Sequence, residues 1–257
     1  MSDIFLVDTH AHICDPVFDI DRAEVLERAR AAGLRAIVAV SENLKDGEIN
    51  LRLAQQHPIL LPGAGLSPSL ADIAEAQSVI SFIRRERRKI WAIGEVGLDY
   101  WCARDEDGRM VQREVFELFI ECALELDLPL NVHSRSAGRQ VIELLLKKGA
   151  KKVQLHAFDG RASSALPAVE AGFFFSIPPS VVRSAQKQKL VRRLPLGSLL
   201  IETDSPVLGP TAGERNEPAN TNVSVEEIAR IKGVERGEIL QAASRNVKRL
   251  YGINPEN

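Results

Sequence analysis

The sequence predicts an α/β protein, specifically a (β/α)8 TIM barrel with additional C-terminal helices. Eight short apolar runs recur along the 257 residues, and each is followed by a stretch with helical spacing of its apolar positions. Strands that alternate with helices in this way indicate parallel βαβ units. Eight such units within about 250 residues match the size of a (β/α)8 barrel.

The apolar runs are short and almost continuous, which is typical of strands that are buried on both faces of a parallel sheet. Turn-forming or polar residues separate each run from the helical stretch that follows it. We predict strands over residues 4–7, 36–40, 59–64, 91–94, 129–132, 153–155, 173–177 and 199–201.

The stretches between the runs have apolar residues three and four positions apart, which indicates amphipathic helices. Two of these stretches end at Gly33 and Gly149, and glycine is common directly after a helix because it adopts the left-handed backbone conformation. No linker, repeat or low-complexity segment interrupts the pattern, so we expect a single domain over residues 1–257. We predict helices over residues 21–32, 69–88, 110–128 and 136–148, and two more within 225–250.

The composition is that of an ordinary globular protein, with 45% hydrophobic and 26% charged residues. The formal net charge of −2 gives no overall attraction to nucleic acid, so such a partner would need a local basic patch. No apolar run approaches the ~18 residues of a membrane span, and the amino terminus lacks a signal-peptide pattern. The three cysteines stand far apart, which suits a reducing compartment. We expect a cytoplasmic protein without membrane or obligate protein partners, and a nuclear location stays open for a eukaryotic source.

A first group of polar residues follows the first apolar run. The segment LVDTHAHI has Asp8, His10 and His12 at alternate positions, which share one face if the strand continues. Two imidazoles on one face can converge on a cation, which Asp8 could bind directly or through a histidine. By itself this short pattern favours a polar strand end with hydrogen-bonded histidines, so a metal site requires further ligands.

Further candidate ligands lie at the ends of other predicted strands. Glu95 ends the fourth run, His133 the fifth, His156 the sixth and Asp204 the eighth. The carboxyl ends of barrel strands share one face, where active sites assemble. Four of the five histidines of the chain occupy such positions, which chance scatter would not produce. The six residues that we predict to bind metal are His10, His12, Glu95, His133, His156 and Asp204.

Six ligands without a thiolate exceed the four of a structural zinc site and suit two divalent cations. Glu95 comes from the middle strand of the set and is best placed to bridge them. Two such cations lower the pKa of a shared water to near neutral, and Asp204 could accept its proton, so we predict catalytic roles for Glu95 and Asp204. The ligand types leave Zn²⁺, Mn²⁺ and Mg²⁺ open. The predicted division is His10, His12 and Asp204 for one cation and His133 and His156 for the other.

Several longer motifs occur in a fixed order along the chain, namely THAH, GEVGLDY, NVHSRSAGR, LHAFDG, SIPPS and ETDSPVLGP. In this order they resemble the TatD family of metal-dependent deoxyribonucleases, part of the amidohydrolase-like superfamily, from residue 7 to about residue 252. NVHSRSAGR and HAFDGR are most similar to the TatD domain-containing protein 3 branch. The resemblance implies the same six metal ligands and a hydrolase that acts on DNA, largely as a 3′-to-5′ exonuclease.

Two arginines next to the predicted site suit a phosphodiester substrate. Arg135 and Arg139 follow His133 in the loop and the first helical turn, and guanidinium groups bind phosphate through paired hydrogen bonds. We predict that both bind substrate and that the partner is DNA, as single strands or 3′ ends. A salt bridge that stabilises the loop explains Arg135 about equally well. Other cations after the seventh strand suit either a basic rim or a solvated helix face, namely Arg183, Lys187, Lys189, Arg192 and Arg193.

Two alternatives to a nuclease stay open at this point. The same metals and water would serve an amide or ester hydrolase, such as a D-aminoacyl-tRNA deacylase, and a carboxylate-recognising group in the pocket would favour that function. A metal-binding scaffold without catalysis is the second alternative. The intact set of six ligands argues against a scaffold, because loss of a ligand usually accompanies loss of catalysis.

Overall fold

A computed structural model describes residues 4–253 of the chain, with eight strands in one parallel sheet. The strands pair in the order in which they occur along the chain, each with the next, as a barrel requires. Their bounds are β1 Leu6–Ala11, β2 Leu34–Ala39, β3 Leu60–Ala64, β4 Ala92–Gly97, β5 Leu130–His133, β6 Val153–Leu155, β7 Phe174–Ile177 and β8 Leu199–Ile201.

The sheet closes where β1 meets the segment that follows β8. The His12 backbone N–H donates to Ser205 O at 2.8 Å, and the Asp204 N–H donates to His10 O at 2.9 Å. Ala11 and Ser205 form a parallel bridge between these two hydrogen bonds. The closure therefore lies at the carboxyl ends of the strands, beside three of the predicted ligands.

The buried carboxylate of Asp8 strengthens this closure. Its Oδ1 accepts a hydrogen bond from the Thr203 backbone N–H at 2.9 Å, and its Oδ2 accepts one from Thr203 Oγ at 2.5 Å. Burial raises the pKa of Asp8 to about 7, although these hydrogen bonds act in the opposite direction. The β1–β2 pairing shifts register between Asp8 and Ala11. Asp8 therefore bonds to the segment after β8, and it belongs to none of the groups of described side chains that could hold a metal ion.

Helices cover the outside of the barrel, and each strand is followed by one of them. The helix after β8 completes the eighth βα unit, so one further helix extends the described part of the chain beyond the repeat. No helix between residues 4 and 253 has the length and apolar character to cross a membrane. The helices are α1 Arg22–Ala31, α2 Leu44–Gln56, α3 Ile73–Arg85, α4 Glu106–Leu126, α5 Gly138–Lys147, α6 Leu166–Glu170, α7 Ala185–Arg193, α8 Thr221–Lys232 and α9 Arg236–Tyr251.

The last helix, α9, packs against β1 and β8. Its buried Val247 and Leu250 join a cluster that includes Val7, Val38 and Leu200 from the strands. A larger apolar cluster combines residues of the strands with residues of the surrounding helices. Because burial of apolar surface is the main driving force of folding, these two clusters hold the barrel and its helices together.

The predicted fold class is confirmed, but several predicted element bounds are wrong. The first strand starts two residues later than predicted and continues to Ala11, because its polar residues find hydrogen-bond partners within the barrel. The fourth strand likewise continues through Glu95 to Gly97. The third helix starts at Ile73 instead of residue 69, because Asp72 accepts a hydrogen bond from the Glu75 N–H and caps it.

Substitution of Asp8 by Ala should lower the free energy of unfolding by about 3 kcal/mol. The change leaves the buried N–H and hydroxyl of Thr203 without their acceptor, and unpaired buried polar groups are costly. Urea unfolding followed by circular dichroism measures the loss. Glu48→Ala, which removes an exposed carboxylate on α2, is the control and should stay within about 0.5 kcal/mol of the wild type. Equal stability of the Asp8 variant and the control would contradict the role given to this closure.

Candidate metal centre

The six predicted ligands lie together at the carboxyl ends of the strands. His10 is within β1 and His12 follows that strand directly, while Glu95 lies within β4. The remaining members are His133 at the end of β5, His156 directly after β6, and Asp204 three residues after β8. The structure thus brings residues that are up to 194 positions apart in the sequence into one cluster.

The carboxylate of Glu95 lies at the centre of this cluster. Its Oε2 is 3.2 Å from His12 Nε2 and 3.6 Å from His10 Nε2. Its Oε1 is 2.7 Å from His133 Nδ1 and 3.7 Å from His156 Nε2. Each oxygen therefore faces a different pair of imidazoles, which is the arrangement of a carboxylate shared between two groups of ligands.

Asp204 completes the half of the cluster that contains the first two histidines. Its Oδ1 lies 3.3 Å from His10 Nε2 and 3.5 Å from His12 Nε2, and these two ring nitrogens are 3.2 Å apart. The rings of His10 and His156 stack with centroids 3.8 Å apart, which joins the two halves. Side-chain atoms this close, from the ends of five different strands, converge on a small common volume.

Burial and mutual charge decide the protonation of these groups. Burial opposes charge on His12, but its contacts with Asp204 and Glu95 outweigh this effect and raise its pKa to about 9. In the same way Glu95 and Asp99 raise the pKa of His133 to about 10 against the effect of burial. Burial also opposes ionisation of Glu95, yet the neighbouring histidines hold its pKa well below the usual range. The carboxylates thus attract positive charge, and a divalent cation would supply it in place of the imidazole protons.

Two of the histidines have partners that fix the orientation of their rings. His10 Nδ1 lies 2.8 Å from Asn131 Oδ1, which leaves Nε2 directed at Glu95 and Asp204. His133 Nε2 lies 3.1 Å from Asp99 Oδ2, which leaves Nδ1 directed at Glu95. Asp99 is thereby the carboxylate partner of His133 on the side away from Glu95. Such outer partners hold a ring and its tautomer in the state that binds metal.

Asn131 is a functional candidate that the sequence reasoning missed. Its Nδ2 donates to Thr9 O at 2.8 Å and to the Tyr251 hydroxyl at 3.2 Å, so its Oδ1 is the atom that faces His10. The signal was present in the sequence, since Asn131 precedes His133 by two positions and therefore shares its face of β5. A polar residue on a buried strand needs a partner, and here the partner is His10, one of the predicted ligands.

His156 differs from the other histidines of the cluster. Burial and the neighbouring His10 lower its pKa to about 4, so its imidazole is neutral. Its Nδ1 is buried and has no hydrogen-bond partner among the residues that the structure describes. Buried polar atoms in proteins are normally paired. A neutral, buried imidazole with one unpaired nitrogen, beside carboxylates, fits a metal ligand, and the donor set as a whole fits divalent cations.

A cavity of about 640 Å³ opens onto the cluster and gives a substrate access to it. Arg135 lines this cavity, with its guanidinium 4.8 Å above the ring of the exposed Trp101. Arg139 lies elsewhere, because its side chain on α5 is 73% exposed and forms an ion pair with Glu143 at 3.2 Å. The structure therefore brings one of the two predicted arginines to the site. Lys187 also lines the cavity, together with the acidic residues Glu42, Asp99 and Asp159.

Comparison with known proteins identifies the family. The family model described as TatD related DNase matches residues 7–252. The chain belongs to this family. Membership confirms the resemblance that the motifs predicted, and it extends over almost the entire sequence.

Individual members of the TatD family agree with this assignment. The human deoxyribonuclease TATDN3 is 44% identical over 258 residues, which cover 96% of this chain and 94% of the human protein. The metal-dependent hydrolase YabD of Bacillus subtilis is 34% identical, with 97% of this chain and all of the bacterial protein covered. The crystal structure of the TatD homologue YJJV of Escherichia coli superposes with a TM-score of 0.88 at 25% identity, over 97% of this chain and 98% of that one.

Three overlapping groups of side chains among the described residues can hold a metal ion. Glu95 belongs to two of them, with His10 and His12 in one and with His133 and His156 in the other. The third group combines His10 and His156 with Glu202. Glu202 is otherwise engaged, because its carboxylate accepts hydrogen bonds from the Ala157 N–H and from Ser176 Oγ.

Replacement of Asn131 by Leu should weaken Mn²⁺ binding by about tenfold to a hundredfold. The substitution removes the partner that holds His10, and outer-partner mutations at metal sites commonly have effects of this size. Titration of metal-stripped protein with Mn²⁺, followed by calorimetry, measures the affinity.

Asn222→Leu is the matched control, because the Asn222 amide bonds to Ala32 O, directly after α1, and to Arg236, away from the cluster. We expect the control to bind Mn²⁺ as the wild type does. If both variants bind Mn²⁺ with unchanged affinity, Asn131 does not orient a ligand.

Proposed function

We propose that this TatD-family protein is a divalent-metal-dependent deoxyribonuclease. The observation that carries the proposal is the position of Glu95, whose two oxygens each face a separate pair of imidazoles beside a cavity that contains Arg135. The name of the human relative supports DNA as the substrate, and that of the bacterial relative supports hydrolysis with metal. Single strands and 3′ ends are the substrates that we expect.

The proposed site would take two cations, with Glu95 available to both. His10, His12 and Asp204 would hold one cation, and His133 and His156 would hold the other. Zn²⁺, Mn²⁺ and Mg²⁺ all stay candidates, because the set mixes imidazoles with carboxylates. When bound, such a pair activates water and stabilises the charge that develops on a phosphoryl oxygen.

The side chains of the chain itself have three roles in this proposal. Asp204 is buried and its pKa is held below the usual range by His10 and His12 despite its burial, so the carboxylate is ionised and can accept the proton of the attacking water. Asp99 and Asn131 keep two imidazoles in the orientation described above. Arg135 would hold a non-bridging oxygen of the phosphate and thereby position the substrate.

Deacylation of a tRNA would use the same groups. One assay can measure both deacylation and DNA hydrolysis. Metal-stripped protein is supplied with Mg²⁺, Mn²⁺ or Zn²⁺ and given a 3′-labelled single-stranded DNA, a D-aminoacyl-tRNA and a simple ester in parallel. Release of nucleotides supports the nuclease. Turnover of the acyl substrates alone would overturn it in favour of deacylation.

We predict that Glu95→Gln and Asp204→Asn each lower the rate of DNA hydrolysis by at least about a thousandfold. Either change removes a negative charge from the centre while the shape of the side chain is kept. Initial rates with the preferred metal measure the loss, and circular dichroism checks the fold.

The control for these two variants is Glu48→Gln, which changes an exposed carboxylate on α2 by the same chemistry. Its rate should match that of the wild type. Rates of DNA hydrolysis near the wild-type value in both the Glu95 and the Asp204 variant would contradict the proposed mechanism.

The two predicted substrate arginines can be separated by a second pair of variants. Arg135→Met should raise KM for DNA by about tenfold and reduce the dependence of binding on salt, because a contact with phosphate is lost. Arg139→Met should have a comparable effect only on strands long enough to reach beyond the cavity. Measurement of KM for a dinucleotide and for a 20-nucleotide strand distinguishes the two positions. If a variant has an unchanged KM for both substrates, its arginine does not bind DNA.

A further inference from the structure

Lys187 is a cationic residue beside the candidate metal centre, and it has no role in the mechanism proposed above. It lies in the first turn of α7, yet the residue is only 8% exposed and lines the cavity at the candidate metal centre. Its Nζ donates to Ala157 O at 2.8 Å, and Ala157 directly follows His156. The ammonium group is thus attached to the loop that carries one of the candidate ligands.

The other cations of this region have a different environment. Arg183, Lys189, Arg192 and Arg193 are all exposed, although they belong to the same segment of the chain. Burial of an ammonium group is costly unless something compensates for it. If Lys187 only belonged to a solvated face of the helix, we would expect it to be exposed, as these four residues are.

The contacts of Lys187 within the chain leave most of its donors free for a ligand. An ammonium group has three N–H donors, and the described residues accept one of them, through Ala157 O. None of the described carboxylates pairs with it within 4.0 Å. Burial lowers the pKa of Lys187, and the nearby charges of Glu202 and Asp204 oppose that effect. The ammonium group therefore has N–H donors available to a ligand in the cavity.

The cavity itself needs such a group if its ligand is an anion. Glu42, Asp99 and Asp159 line it and repel negative charge. The cationic side chains along its wall are Arg135, from the loop after β5, and Lys187, from the helix after β7. These two side chains enter from different βα units, so that a phosphate between them could be held by both.

We propose that the ammonium group of Lys187 binds a phosphate oxygen of the substrate or product beside Asp204. The inference rests on the proposed nuclease function and names a contact that the function alone does not require. A buried donor of this kind is worth more than an exposed one, because water does not compete for the phosphate. It also favours phosphate esters over uncharged acyl esters.

The test measures the affinity of Mn²⁺-loaded protein for thymidine 5′-monophosphate by calorimetry. Lys187→Met should bind this nucleotide about tenfold to a hundredfold more weakly than the wild type, as expected for loss of a charge-assisted hydrogen bond. Lys189→Met, on the exposed side of the same helix, should stay within about twofold. An unchanged affinity of the Lys187 variant would overturn the proposal.

A purely structural role of Lys187 predicts a different result. If the lysine only held Ala157 and through it His156, its loss would weaken Mn²⁺ binding as strongly as nucleotide binding. If it binds phosphate, Mn²⁺ affinity should be equal or higher in the variant, because one positive charge near the cations is removed. Parallel losses of both affinities would therefore overturn the proposal. Lys187→Gln, whose amide can still donate to Ala157 O, serves as a second uncharged variant should the Met variant fail to fold.

Failure of this inference can be separated from failure of the proposed nuclease function. DNA hydrolysis by the wild type is measured in the same preparation as nucleotide binding. If the wild type cleaves DNA and the Lys187→Met protein binds nucleotide normally, only the proposed role of Lys187 is contradicted. If the wild type has no nuclease activity but its affinity for nucleotide still depends on Lys187, the nuclease function is contradicted and the phosphate contact is supported.

Discussion

The closure of the barrel between β1 and the segment after β8 is the constraint on which the metal centre depends. His10 and His12 come from one side of this closure and Asp204 from the other, and the backbone hydrogen bonds between the two sides set their spacing. A shift by one residue would turn a ligand away from the centre, because side chains alternate along a strand. The buried carboxylate of Asp8, held by both donors of Thr203, makes such a shift costly. The same interaction thus closes the fold and aligns half of the predicted ligands.

A column of polar side chains inside the barrel gives His10 a second support. The Tyr251 hydroxyl, at the end of α9, donates to Gln154 Oε1 at 2.5 Å and accepts from Asn131, which in turn contacts His10. Gln154 donates to Ser176 at 2.8 Å. Since a buried polar group without a partner costs stability, each member depends on the next. The helix beyond the eight βα units therefore has a part in the orientation of a ligand as well as in the core.

That these six side chains lie together could be predicted from the sequence, because each one follows an apolar run and the carboxyl ends of barrel strands share one face. Their partners were harder to predict. Asn131 and Gln154 each precede a ligand by two positions, so alternation along the strand could have identified them, but the partner across the barrel could not be read from the pattern. Arg139 and Lys187 show a further limit. Exposure of a helical side chain depends on how the helix packs, and that is decided by residues distant in the sequence.

The backbone at the carboxyl face of the barrel also reflects the demands of the site. Ser136, Ala157, Asp204 and Leu208 all have positive φ angles between 41° and 56°, which residues with a side chain rarely adopt. Each such residue costs about 1 kcal/mol or more, and persists only where the surroundings hold it. Asp204 is held on both sides, because its N–H donates to His10 O and its carbonyl accepts from Val207. The strained positions lie in the loops that follow β5, β6 and β8, at the same face of the barrel as the predicted ligands, and the hydrogen bonds of the closure stabilise one of them, Asp204, in this conformation.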